Sequence, residues 1–121
     1  MTRGTIVALM VLAATNLAVA TEVKSQYGGR AAEAGEYHIE LVTKADVIDV
    51  YLADHNNKGV AAAGHKGLAI LVVAGKSHRI VLTPAGGSRL TGKVIGDTQG
   101  ELKGVVQITQ PNGKTVQAHF N

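Results

Sequence analysis

The chain contains no cysteine and no tryptophan, and its two methionines, Met1 and Met10, both lie within the first ten residues. No disulfide can therefore stabilise the fold, which must be held by core packing and sheet hydrogen bonds. Beyond residue 10 neither a thiolate nor a thioether is available. Because these soft sulfur ligands are the ones that suit Cu(I), their absence argues against a Cu(I)-binding protein.

Aromatic residues are few, and positive charge is not concentrated. The aromatic residues are Tyr27, Tyr37, Tyr51 and Phe120. Twelve Lys and Arg residues stand against nine Asp and Glu residues, and the basic residues are scattered without forming a run. Nucleic-acid binding normally needs a basic patch, commonly with interleaved aromatic side chains. We therefore expect no nucleic-acid partner.

The first 20 residues have the composition of a signal peptide. They carry Arg3 near the start, an apolar stretch through Ile6 to Leu12, and a small-x-small ending, Ala18-Val19-Ala20. This pattern predicts cleavage near Thr21, and the apolar stretch is short for a membrane span. The sequence thus predicts a signal peptide over 1–20, a single domain over 21–121, a periplasmic or secreted location, and no membrane association after cleavage.

The rest of the chain alternates apolar and polar residues in short segments separated by turn residues. Val, Ile, Thr and Leu recur within the segments, as is typical of strands, and Gly and Asn mark the breaks. About seven strands are predicted, at 36–43, 47–53, 67–74, 77–83, 88–94, 103–110 and 114–120. This spacing predicts an all-β fold: an antiparallel β-sandwich of immunoglobulin-like type, with a small open barrel as the alternative.

The first two predicted strands form a hairpin whose register follows from a turn at Lys44-Ala45. Burial of the apolar residues favours this pairing over a slip by one residue. The predicted apolar pairs are Leu41–Ile48, Ile39–Val50 and Tyr37–Leu52. The predicted pairs on the other face are Glu40–Asp49 and His38–Tyr51.

The polar face of this hairpin predicts a metal site. Directly opposed carboxylates repel each other, and a metal ion between Glu40 and Asp49 would relieve that repulsion, with His38 as nitrogen ligand. One imidazole and two carboxylates suit divalent Cu, Zn, Ni or Co. The alternative is an ordinary polar face turned toward water. The other histidines of the domain are dispersed, and His55 and His65 are the next candidate ligands.

No catalytic arrangement emerges from the spacing. Ser77 and His78 are adjacent, so on a strand their side chains point to opposite faces. The sequence predicts a binding protein without enzymatic activity.

Four further stretches of the sequence are YGGRAAEAGEYHIELV, VYLADHNNKGV, IVLTPAGGSRLTGKV and KTVQAHF. Together they resemble a family of small exported β-domains that occur alone or joined to periplasmic adaptor subunits of heavy-metal efflux systems of the resistance-nodulation-division class. Members of that family carry His-Gly-Gly followed by His-x-Glu. Here His38 and Glu40 match the second motif, while Tyr27 stands at the first histidine's position.

The resemblance implies a periplasmic accessory module that binds a divalent transition metal and works with a metal-efflux component. The alternative is a non-catalytic protein-interaction or structural module without metal. An unpaired strand edge or an apolar patch would favour the alternative.

Overall fold

The computed structural model describes residues 23–94 and 102–121, and these contain eight β-strands and no helix. Accordingly, none of the residues described offers a helix that could cross a membrane. The predicted signal peptide, residues 1–20, lies outside the described residues. The strands are β1 (Arg30–Ala34), β2 (Tyr37–Lys44), β3 (Val47–Ala53), β4 (Lys66–Val73), β5 (Lys76–Pro84), β6 (Arg89–Lys93), β7 (Lys103–Thr109) and β8 (Thr115–Phe120).

All eight strands belong to one antiparallel sheet, in the order β1-β2-β3-β6-β5-β4-β7-β8. The two outermost strands, β1 and β8, come into contact, so the sheet is nearly closed into a barrel. The predicted all-β class is confirmed, with the small open barrel as its architecture rather than two facing sheets. Closure reduces the exposed edges that an open sheet would leave for association with other chains.

Alternation of side chains along each strand separates an interior from an exterior. Ile39, Val50 and Leu90 are fully buried inside the barrel. Burying such a side chain contributes about 1.5–3 kcal/mol relative to leaving it exposed. The core is continuous through the barrel and includes Leu41, Ile48, Leu52, Leu71, Ile80, Leu82, Val106, Ile108, Ala118 and Phe120.

Arg30 bridges the gap between the two ends of the sheet. Its guanidinium donates to the carbonyl of Leu102 at 2.5 Å and to the carbonyl of Asn121 at 2.6 Å. The same group lies 5.8 Å from the ring centroid of Phe120 on β8. These contacts tie β1 to the C-terminal strand by charge-assisted hydrogen bonds and a cation–π contact.

The register of the β2–β3 hairpin differs from the predicted one by two residues. The turn lies at Ala45-Asp46, and Ala45 has a positive φ of 47°. Leu41 therefore pairs with Val50 rather than with Ile48. A shift of two residues leaves every side chain on the same face, so burial alone cannot distinguish the two registers. The other observed pairs are Ile39–Leu52, Glu40–Tyr51, Val42–Asp49 and His38–Ala53.

One strand was not predicted. The predicted strands begin at residue 36, but Arg30–Ala34 pairs with β2 as β1. Its three alanines have low strand propensity, and no bulky apolar residue marks its inner face. The tertiary pairing with β2 therefore overrides a weak local preference.

Candidate functional site

Residues 23–29, here called the strap, lie over the outer face of β2 and β3. The Tyr27 ring of the strap stacks on the Tyr51 ring of β3, with centroids 3.7 Å apart and an interplanar angle of 11°. His38, Glu40 and Asp49 on this face are buried, being at most 7% exposed. The alternative prediction of a water-facing polar surface is thus wrong for these three residues.

Glu40 is the residue that anchors the strap. Its carboxylate accepts hydrogen bonds from the backbone N–H groups of Gln26, Tyr27 and Gly29 at 2.6–2.8 Å, and from the Ser25 hydroxyl at 2.9 Å. Burial by itself would raise the pKa of this carboxyl. The four hydrogen bonds outweigh burial and hold the pKa below its ordinary value of 4.5. Glu40 is therefore a structural anion bound by the chain's own backbone.

The two glycines of the strap make this arrangement possible. Gly28 has a positive φ of 77°, which turns successive N–H groups toward one point. A Cβ atom at Gly29 would collide with the carbonyl of Leu41. Glu40 and the Tyr27-Gly28-Gly29 segment are separated in sequence but form one hydrogen-bonded unit. Its glycines are needed sterically, Gly28 for its positive φ and Gly29 for the close approach of the strap to β2.

Asp49 has a different set of partners. Its Oδ2 atom lies 3.5 Å from Nζ of Lys44 and 3.5 Å from a guanidinium nitrogen of Arg89. Its Oδ1 atom is buried without a hydrogen-bond partner among the described residues. Two cations therefore neutralise a carboxylate that is only 1% exposed.

The three predicted metal ligands are not brought together. Asp49 is opposite Val42, which is four residues along β2 from His38, a separation of about 13 Å. Glu40 shares the outer face of β2 with His38, but its oxygens point into the strap. Within 23–94 and 102–121, no three His, Asp or Glu side chains stand together in positions that could hold a metal ion. The predicted opposition of Glu40 to Asp49 depended on the other register.

His38 nevertheless has a polar environment of its own. Its Nδ1 atom lies 2.9 Å from Oδ1 of Asn57. Its Nε2 atom lies 3.8 Å from a carboxylate oxygen of Glu33, the residue directly opposite it on β1. The ring of His55 meets the ring of His38 edge-on, with centroids 5.9 Å apart. Sequence reasoning missed Glu33 because β1 was not predicted.

A tight turn places Asn57 and His55 beside His38. The Asp54 carboxylate accepts from the backbone N–H groups of Asn56 at 2.8 Å and Lys58 at 3.0 Å. Asn57 has a left-handed φ of 61°, a conformation that Asn tolerates better than most residues. The strap contacts the same turn, because the Gln26 side chain donates to the Asn57 carbonyl at 3.2 Å.

His65, the other candidate ligand, is occupied elsewhere. It is buried, and its Nε2 atom lies 3.1 Å from the hydroxyl of Tyr37. Tyr37 follows the inner-face alternation of Ile39 and Leu41, so His65 is on the opposite side of β2 from His38. The Nδ1 atom of His65 has no partner among the residues that the structure describes.

A small cavity lies between the strap and the strands. Tyr27, His38, Tyr51 and Asn57 are among its lining residues, and its volume of about 20 Å³ has room for roughly one water molecule.

No family model matches the chain, and no match was found among curated proteins or solved structures. The functional argument therefore rests on the geometry around His38.

Proposed function

We propose that the protein binds a divalent transition metal at His38, with Glu33 and His55 completing the ligand set. Zn²⁺, Cu²⁺, Ni²⁺ and Co²⁺ suit one carboxylate and two imidazoles. The proposed role is that of a non-catalytic periplasmic module for metal tolerance or efflux, acting with an efflux component. The efflux role follows from the resemblance described above, whereas the choice of ligands follows from the geometry.

The observation that carries the proposal is the orientation of the His38 ring. The Asn57 Oδ1 atom can only accept a hydrogen bond, so the proton of a neutral His38 ring belongs on Nδ1. The Nε2 lone pair then faces the Glu33 carboxylate across 3.8 Å. Two acceptors at this distance can share a metal ion, and a water molecule that donates to both is the alternative.

The second contact of His38 supports the metal. Metal-binding histidines commonly donate their other ring N–H to a carboxylate or carbonyl oxygen, which fixes the ring and its tautomer. Glu33 and His55 are exposed, and the proposed site requires both side chains to rotate toward Nε2 of His38, because as they stand the three groups do not form a metal cluster. Glu40 and Asp49 are not included, since Glu40 already accepts four hydrogen bonds and Asp49 lies about 13 Å along the strands from His38.

The test is titration calorimetry of the untagged protein with each of the four metal ions. One equivalent should bind per chain, and the His38→Ala variant should lose that binding. Glu33→Gln and His55→Ala should weaken it, while His119→Ala, which removes an exposed imidazole on β8, should leave it unchanged. Asp49→Asn should also leave the affinity unchanged.

Two results would contradict the proposal. Absence of binding for all four ions would mean that the contacts of His38 with Asn57 and Glu33 are structural only. Binding that survives His38→Ala would place the metal at another histidine. Binding should also weaken on acidification, because protons compete with the metal for the imidazole.

A further inference from the structure

The outer face of β4, β5 and β7 carries an unusual number of aliphatic side chains. Val81 is 66% exposed, Val72 is 43% exposed and Ile70 is 42% exposed. The pairing places Leu68 beside Val81 and Val105 beside Ile70 on this same face. These five side chains, here called the outer apolar patch, form a continuous surface across three strands.

The charges around the outer apolar patch are predominantly positive. Arg79 is directly opposite Ile70, and Lys103 is directly opposite Val72. Lys93 lines a shallow depression with Val81, and Asp46 of the β2–β3 turn borders the same depression. Strands β4, β5, β7 and β8 contain no Asp or Glu.

The residues that the structure describes show the same asymmetry. Six acidic residues lie in residues 23–54, namely Glu33, Glu36, Glu40, Asp46, Asp49 and Asp54. Residues 55–94 and 102–121 contain no acid, and they contain eight basic residues: Lys58, Lys66, Lys76, Arg79, Arg89, Lys93, Lys103 and Lys114. The outer apolar patch is thus on the basic part of the barrel. Asp97 and Glu101 lie outside the described residues.

We propose that the outer apolar patch docks a partner protein whose surface carries carboxylates around an apolar centre. Exposed apolar patches rimmed by polar residues commonly mark protein-interaction sites. Carboxylates on the partner would meet Arg79 and Lys103, which gives the contact its specificity and speeds association. This surface is separate from His38 and does not depend on metal binding.

Two other occupants fit less well. Symmetric pairing of two copies through this patch would bring the Arg79 and Lys103 side chains of both copies to the same interface, where like charges repel. An anionic membrane is usually bound by protruding aromatic or leucine side chains. The three most exposed side chains of the patch, Val81, Val72 and Ile70, are β-branched and stand on a sheet, and the patch contains none of the chain's four aromatic residues.

The experiment places a photo-crosslinking amino acid at Val81 in the cells that make the protein, with the same probe at exposed Glu36 as the control position. The Val81 probe should join the chain to one protein that the Glu36 probe does not reach. The crosslinked segment of that protein should contain Asp or Glu. Arg79→Glu together with Lys103→Glu should abolish the crosslink without changing the melting temperature.

The captured protein is then purified and its affinity measured. Binding should weaken as salt is raised, and the Arg79→Glu, Lys103→Glu variant should bind about tenfold or more weakly. Lys114→Glu, in the β7–β8 turn, should bind like the unaltered protein. Any of three results would overturn the proposal. These are the absence of a crosslink, a crosslink to lipid or to a second copy, and an affinity unaffected by the charge reversals.

Discussion

The backbone N–H of Gly29 donates a 2.8 Å hydrogen bond to the carboxylate of Glu40. This bond joins the strap to β2 across eleven residues of sequence, and three further donors converge on the same carboxylate. The polar residue that the sequence suggested as a metal ligand is therefore a docking point for the chain's own backbone. The strap, in turn, covers the face on which His38 lies.

The first prediction concerns pH. Because the pKa of Glu40 is lowered in the folded state, its contribution to stability is present above the ordinary value of 4.5 and is lost as pH falls through the folded-state value. Glu40→Gln should cost about 1–3 kcal/mol near neutral pH, since it removes charge-assisted hydrogen bonds. Denaturant unfolding at several pH values should show this difference shrinking as pH falls below 4.5. A stability difference that stays constant at all pH values would contradict this prediction. The control is Glu36→Gln, at an exposed position.

The second prediction distinguishes the two faces of the sheet. Ile39 is fully buried in the barrel, so Ile39→Ala should reduce the free energy of unfolding by about 2–5 kcal/mol. Val81, although also aliphatic and on a strand, is mostly exposed, so Val81→Ala should change it by no more than about 0.5 kcal/mol. Urea denaturation measures both values. Similar losses for the two variants would mean that the face bearing Val81 is covered in the isolated protein.

A third prediction concerns the residue that orients His38. Asn57→Gly removes the acceptor at Nδ1 but tolerates the left-handed backbone at this position, where φ is 61°. If His38 binds metal, affinity should fall about 10–100-fold, as for loss of other hydrogen-bond partners of metal-binding histidines. Calorimetry with Zn²⁺ provides the measurement. Asn56→Gly in the same turn is the matched control, and equal effects from both variants would indicate a change in the turn rather than in His38.

The fourth prediction uses Tyr27, which lines the same cavity as His38. Tyr27→His should therefore supply a further nitrogen ligand and tighten metal binding, while Tyr27→Phe should not. The thermal stability gained on adding metal reports the change, because a ligand that binds the folded state raises stability according to its affinity. Equal gains for both variants would argue against position 27 facing the metal.

The fifth prediction concerns export. Ala18-Val19-Ala20 predicts a mature N-terminus at or near Thr21. Intact-mass measurement of the protein recovered from the periplasm or medium checks this directly. A mass that includes residues 1–20 would show that the segment is retained. Ala20→Pro, which disfavours cleavage, should yield the longer form.

Much of the barrel could be predicted from the sequence because strand formation is recorded locally. Alternation of Ile39 and Leu41 with His38 and Glu40 identifies β2, and it assigns each residue to the correct face. The seven predicted strands correspond to β2 through β8, within a residue or two at their ends. Because side chains alternate faces along a strand, the predicted face of Asp49 is correct even though its predicted partner, Glu40, is not.

Only the tertiary structure decided the register, the closure and the site. Two registers that differ by two residues bury the same side chains, and a turn with positive φ at Ala45 distinguishes them. Across the closure, Arg30 on β1 reaches the carbonyl of Asn121 at the end of β8, a contact that no local pattern records. Likewise, His38 meets Glu33, His55 and Asn57 through the pairing of β1 with β2 and the position of a distant turn. The sequence by itself determined which side chains face inward, because the alternation is visible between neighbours two residues apart. Which residues those side chains contact depends on long-range strand pairing, which only the folded chain establishes.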